Sequence, residues 1–251
     1  MNEYRALAEY YDRLMAVDYP ARAAYLLSLF EKHAGRPSTL LDLACGSGSL
    51  TAALTEHGID VIGVDGSQDM LALAMEKCPQ SLLLCQDMRE LDLYDVVDGA
   101  VCTLDSLNHL LSTHDLAAVF DRLRLFVAPG GLFIFDVNTP YKHEHSLGDQ
   151  TFVLEDEDVL CVWQNTYRPS DRTVDMVLDF FEEGPDGRYD RLSDEVRERA
   201  YSLATWKRLL ADAQFELLAV YGDMTTDEPT ATEDRWVLVA RNGRPAEEFS
   251  A

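Results

Sequence analysis

Leu40-Leu41-Asp42-Leu43-Ala44-Cys45-Gly46-Ser47-Gly48-Ser49 reads as a buried strand, a glycine turn and the first residue of a helix. Thr39 to Leu43 is the short apolar run of a strand covered on both faces. Gly46 and Gly48 carry no side chain where the backbone must turn sharply and let a ligand come close. A helix opening at Ser49 aims its first free N–H groups at the contents of that turn. A second strand, Asp60 to Val64, runs into Asp65, 17 positions after Gly48. A carboxylate at about that spacing reaches ribose hydroxyls in a βαβ nucleoside site. The stretch therefore predicts a nucleoside-bearing cofactor.

Which cofactor is decided by departures from the dinucleotide fingerprint. That pattern wants a third glycine where this chain has Thr51. Asp42, four positions before Gly46, fits another pattern. Asp42-Leu43-Ala44-Cys45-Gly46-Ser47-Gly48 resembles the first motif of class I S-adenosylmethionine-dependent methyltransferases, with Ala44 where many members have glycine. A hydride-transferring dehydrogenase is the more remote alternative.

The segments downstream agree with the resemblance. Ser81 to Gln86 reads as a third strand ending in Asp87-Met88-Arg89, and Val96 to Thr103 as a fourth ending in Leu104-Asp105-Ser106-Leu107-Asn108-His109. Leu116, Val119, Phe120, Leu123 and Phe126 recur at helical period, and Pro129-Gly130-Gly131 turns that helix into a strand over 132–137. Alternating strands and helices predict an α/β fold with a doubly wound, mostly parallel sheet and its ligand at the strands' carboxyl ends. The resemblance implies a seven-stranded Rossmann-like sheet spanning roughly residues 4–241. It also implies S-adenosyl-L-methionine as cofactor and S-adenosyl-L-homocysteine as product. By the same resemblance Asp42, Ala44, Gly46 and Gly48 surround the methionine and ribose portions, and Asp65 with Gly66 takes the ribose hydroxyls. Asp87 and the Met88 N–H meet adenine, Met70 packs on its face, and Leu104 lies near the methyl group. Tyr11, in an N-terminal helical lid over 1–35, touches the methionine moiety.

After the fifth strand the pattern changes to alternation of period two. Val159, Cys161, Trp163, Asn165 and Tyr167 share one face, as do Val174, Met176, Leu178 and Phe180. Arg168-Pro169-Ser170-Asp171 and Gly184-Pro185-Asp186-Gly187 are turns, and 188–200 returns as a charged, exposed strand. Residues 143–200 thus form an inserted antiparallel β lobe suited to acceptor choice. The core is 1–142 with 201–242, closed by a helix capped at Ser202 and a strand pair, and 243–251 is a C-terminal tail. Asp105 and His109 are the candidate catalytic residues; Asn108, Tyr141, His143 and Trp163 are candidates for holding substrate, all in loops or lobe near the strand ends. An imidazole serves as a base near neutral pH.

Composition narrows the partners. The net charge is −24, from 45 acidic against 21 basic residues. Nucleic-acid binding rests on neutralising phosphates, so this balance disfavours it. Residues 143–200 hold 16 acidic residues against 6 arginines and no lysine, which favours a cationic, amine-bearing acceptor over polyanions. Five scattered cysteines, an odd number without paired spacing, predict buried thiols rather than disulfides or a metal site. No apolar run reaches membrane-spanning length and no secretory signal is visible, so a cytoplasmic monomer or homodimer is expected. The favoured activity is methyl transfer by in-line attack to a nitrogen or oxygen of a small molecule. The alternatives are an RNA or protein methyltransferase, or a non-catalytic S-adenosylmethionine-binding protein.

Overall fold

The computed structural model describes residues 10, 13–14 and 17–245. Tyr4, Tyr11 and Asp12 lie outside them, so the expected contact of Tyr11 falls outside the described residues. Strand β1 (Thr39–Leu43) is the centre of the larger sheet and pairs in parallel with β2 (Asp60–Asp65) and β4 (Val97–Cys102). With β3 (Leu82–Cys85), β5 (Val127–Asn138), β10 (Phe215–Gly222) and β11 (Arg235–Asn242), the seven strands run β10-β11-β5-β4-β1-β2-β3. Only β11 opposes its neighbours. Strand order reverses between β1 and β4, where an open α/β sheet leaves a crevice at its carboxyl edge.

Both faces of the sheet are covered, which is why its strands read as apolar runs. Leu40, Val101, Ile134 and Val237 pack against helices α1 (Tyr19–His33) and α2 (Ser49–Glu56). Leu41, Leu43, Phe133 and Phe135 face α4 (Thr113–Phe126) and α5 (Leu203–Asp212) through Phe120 and Trp206. Helix α3 (Gln68–Lys77) starts at Ser67, whose side chain accepts from Met70 N, and Ser202 caps α5 in the same way, as its sequence predicts. Pro129 to Gly131 does not delay β5, which starts at Val127. The three residues sit at a register shift against β4, with Gly130 at φ +79°.

The second sheet is antiparallel, β6 (Thr151–Asp156), β7 (Val159–Arg168), β8 (Thr173–Glu183) and β9 (Tyr189–Arg199) in sequential order. Its inner face carries Cys161, Val174, Met176, Leu178 and Phe180, matching the predicted alternation. Tyr10 also packs there, 5.3 Å from the Phe180 ring, and its hydroxyl donates to Glu182 at 2.9 Å. Strand β9 corrects an expectation. It is exposed over its first half, but Asp194, Val196 and Glu198 turn inward and are buried. The expected loop after β5 is wound into a π-helical turn, Lys142–Leu147. No helix among the described residues is long and apolar enough to cross a membrane.

Candidate active site

A cavity of about 570 Å³ opens at the carboxyl ends of β1, β2 and β4. Asp42, Ala44, Gly46, Asp65, Gly66 and Met70 line one part of it; Asp87, Met88 and Leu104 line another. Asp42 is 2 % exposed and accepts a hydrogen bond from Thr51 Oγ1 at 2.6 Å. The residue that breaks the dinucleotide fingerprint is thus the partner of the first-motif carboxylate. Burial pushes the Asp42 carboxyl up to about 6, against the pull of the Thr51 hydrogen bond and with the help of the Asp65 charge. Its Oδ1 accepts no hydrogen bond from the protein among the described residues.

Asp65 ties the two turns together. Its Oδ2 accepts from Gly46 N at 2.9 Å and its Oδ1 from Ser67 N at 2.8 Å. Burial raises its carboxyl above the usual range, opposed by these two backbone bonds. Gly46 has φ +54°, and a Cβ there would meet nothing closer than Met70 Sδ at 4.0 Å. Gly48 is different. It caps α2 in the left-handed region at φ +77° and does not line the cavity; an added Cβ would lie 2.7 Å from Ala74 Cβ. Its missing side chain serves the α2–α3 contact rather than ligand approach, which corrects the expectation. Asp87 is held by Arg89, whose hydrogen bonds keep its carboxyl below the usual range despite partial burial. Cys45 also lines the cavity, but burial pushes its thiol far up, so it supplies no thiolate.

These residues suit an adenosyl sulfonium compound. The volume lies within the ~300–1,000 Å³ of cofactor sites. Asp65 keeps lone pairs for a ribose diol, Met70 and Met88 offer soft apolar surface to a purine, and the open oxygen of buried Asp42 favours a cationic group.

A second cavity of about 240 Å³ shares Leu104 and His109 with the first and is closed by the antiparallel sheet. Leu147, Trp163, Met176, Leu178 and Val196 form its apolar wall; Asp105, His109, Asn138, Lys142, Glu198 and Arg235 form the polar one. Leu104 and Asp105 both have positive φ, +55° and +58°, and both N–H groups donate to buried Asp136, at 3.0 and 2.9 Å. Asp136 is in turn paired with Arg235 and with Arg22. Burial by itself would raise the Asp105 carboxyl, but Arg235 at 3.1 Å, Lys142 and His109 hold it well below the usual range. Asp105 is therefore a tethered anion and a poor proton acceptor. His109 Nε2 lies 3.9 Å from Glu198 Oε1.

Three expected acceptor contacts fall elsewhere. Asn108 is fully buried and bonds to the backbone of Asn138 and Arg199, so it stitches β5 to β9. His143 is fully buried between Arg172 O at 3.2 Å and Glu198 Oε2 at 3.3 Å. Tyr141 stacks on His145 at 4.6 Å and lines neither cavity. Tyr19, Lys142, Glu198 and Arg235 were not anticipated. Tyr19 is the aromatic that α1 brings to the first cavity, and the other three come from three separate segments that only folding unites.

Residues 40–131 match the methyltransferase domain family. A Bacillus subtilis (strain 168) protein, provisionally named methyltransferase YqeM, is 33% identical over 247 residues, covering 96% of this chain and 98% of the relative. The crystal structure of an S-adenosylmethionine-dependent methyltransferase from Clostridium acetobutylicum ATCC 824 superposes with a TM-score of 0.87 at 30% identity, over 96% of this chain and 99% of that one. Over 133 residues, 52% of each chain, the sequence is also 32% identical to dTDP-3-amino-3,6-dideoxy-alpha-D-glucopyranose N,N-dimethyltransferase of Streptomyces fradiae. Two matches that run nearly end to end, joined to a carboxylate-lined crevice at the β1/β4 switch, make this chain a class I S-adenosylmethionine-dependent methyltransferase.

Proposed function

We propose that this enzyme methylates a nitrogen or oxygen of a small-molecule acceptor bound between its two sheets. The observation that carries the reading is that the two cavities meet at Leu104 and His109. A ligand in the smaller one has its reacting atom next to the methyl-donor end of the larger one. About 240 Å³ under a β sheet suits a small ring or short chain rather than a folded macromolecule. The name of the Streptomyces fradiae relative, an amino-sugar N,N-dimethyltransferase, supports an acceptor of this size.

Residues 1–142 and 201–242 then act as the cofactor-binding core and 143–200 as the acceptor-selecting lobe. S-adenosylmethionine, when bound, supplies an electrophilic methyl group and needs little further activation. The protein's task is alignment and exclusion of water. Asp42 faces the cationic end of the donor, Asp65 its ribose, and Met70, Asp87 and Met88 its base. Asp136, paired with Arg235, holds the Leu104–Asp105 backbone at the boundary, Asp105 sets a fixed negative charge beside it, and His109 receives the acceptor's proton. A screen of small amines and alcohols with methyl-labelled cofactor tests the reading. We expect label in a small-molecule product, and His109→Ala to lower kcat by about 10²-fold, the usual scale of general-base loss. Label appearing only in RNA or protein fractions overturns it.

A further inference from the structure

Among the described residues, Glu198 is the one cavity-lining carboxylate that the sequence did not single out, and its surroundings are lopsided. It is 5 % exposed. Its Oε2 is filled, accepting from Asn138 Nδ2 at 2.8 Å and facing His143 Nε2 at 3.3 Å. Its Oε1 accepts no hydrogen bond from any described residue, and His109 Nε2 stands 3.9 Å away, beyond hydrogen-bond reach. Neighbouring Asp105 has Arg235 and Lys142 for counter-charge; Glu198 has no lysine or arginine partner among the described residues, only the two imidazoles. Oε1 of this buried side chain opens toward the cavity and is available to accept from a ligand.

The 3.9 Å gap says what kind of donor fits. One nitrogen placed between the two atoms lies within about 2.9 Å of both, the usual N–H to acceptor distance. To satisfy both it must carry two hydrogens, which an ammonium or amine has and a hydroxyl lacks. We infer that Glu198 Oε1 and His109 Nε2 form a two-acceptor cleft for the protonated amine of the acceptor, with Glu198 the residue that selects nitrogen over oxygen. This deepens the proposed function and rests on the acceptor occupying the smaller cavity.

The bound ammonium gives one proton to His109 Nε2, which becomes imidazolium, while a second N–H stays on Glu198. Rotation about the acceptor's C–N bond turns the freed lone pair across Leu104. The new N–C bond forms as the S–C bond to the methyl group breaks, and that electron pair remains on sulfur. The product leaves as a methylated ammonium, and the imidazolium proton returns to water.

The test uses the full chain loaded with S-adenosylhomocysteine. Calorimetric or ligand-observed NMR titrations compare cyclohexylamine with cyclohexanol on the wild type and on Glu198→Gln. The wild type should bind the amine about tenfold or more tighter, the scale of one charge-assisted hydrogen bond, and the preference should shrink to within about threefold in Glu198→Gln. S-adenosylhomocysteine affinity, unchanged within about twofold, reports that the variant is folded. If Glu198→Gln does not fold, His109→Phe, at the end of the short 3-10 turn Ser106–His109, removes the other acceptor and should likewise erode the preference. The inference is overturned if the wild type binds the alcohol as well as the amine, or if the preference survives loss of either side chain. Methylation of a small alcohol in the labelled screen would sink this inference and leave the proposed function standing; label confined to macromolecules would sink both.

Discussion

Asp42 carries the largest testable consequence of any single side chain. Its carboxyl is raised by burial from the ordinary range to about 6, so the neutral form is the one the fold prefers. The sign follows from linkage. The contribution is fully present below the unfolded value near 4 and is lost as pH rises through about 6, at most about 3 kcal/mol for a shift of roughly two pKa units. Asp42→Asn keeps an acceptor for Thr51 without the charge. We expect its thermal midpoint to match the wild type near pH 4 and to exceed it above about pH 6, while cofactor affinity falls about tenfold or more. Melting curves across that window check it, and a difference independent of pH would contradict the account. The place of Asp42, Asp65 and Asp87 on the cavity wall was legible because each lies at or within two residues of a strand's end, and a strand's end in a parallel sheet is a place known from local sequence. Asn108 and His143 were misplaced for the complementary reason. Polar residues near a strand end either face the ligand or stitch the backbone, and spacing does not distinguish the two.

The two glycines of the turn separate packing from binding. Gly48 lies at the start of α2 against α3, where a methyl group would sit 2.7 Å from Ala74 Cβ and 2.9 Å from its Cα, at φ +77°. Gly48→Ala should cost about 2–4 kcal/mol, combining overpacking with left-handed strain. Gly46→Ala meets open space and should cost about 1–2 kcal/mol of strain, with the greater effect on cofactor affinity. Urea denaturation of both variants decides; equal losses would remove the packing explanation. Strand β9 shows why an element can be found and its faces misassigned. Two of its three inward residues near the core, Asp194 and Glu198, are acidic, so alternation there looks solvated although one face is buried.

The charge of the entire chain acts at longer range. The lobe's arginines are largely spent on its own surface, Arg168 and Arg197 on Asp175 and Arg191 on Asp179, which leaves a carboxylate surplus on the lobe. Capture of a cationic acceptor should weaken with salt. Between about 0.02 and 0.5 M NaCl we expect kcat/KM for an amine to fall several-fold, because the screening length shrinks from about 20 to about 4 Å. A flat salt response would contradict long-range attraction. What the amino-acid order determined on its own was local and periodic: apolar runs that must be covered on both faces, two turns in the lobe, and carboxylates at the ends of successive strands. These follow from neighbours a few positions apart, so they survive without coordinates. Tertiary structure alone decided the smaller cavity, the proposed acceptor site. Its polar wall draws Asp105 from the end of β4, Lys142 from the π-helical turn, Glu198 from β9 and Arg235 from β11, more than a hundred positions from end to end. Which of those charges neutralise one another, and which oxygen stays open for a ligand, depends on distances of a few ångströms between segments that no local pattern relates.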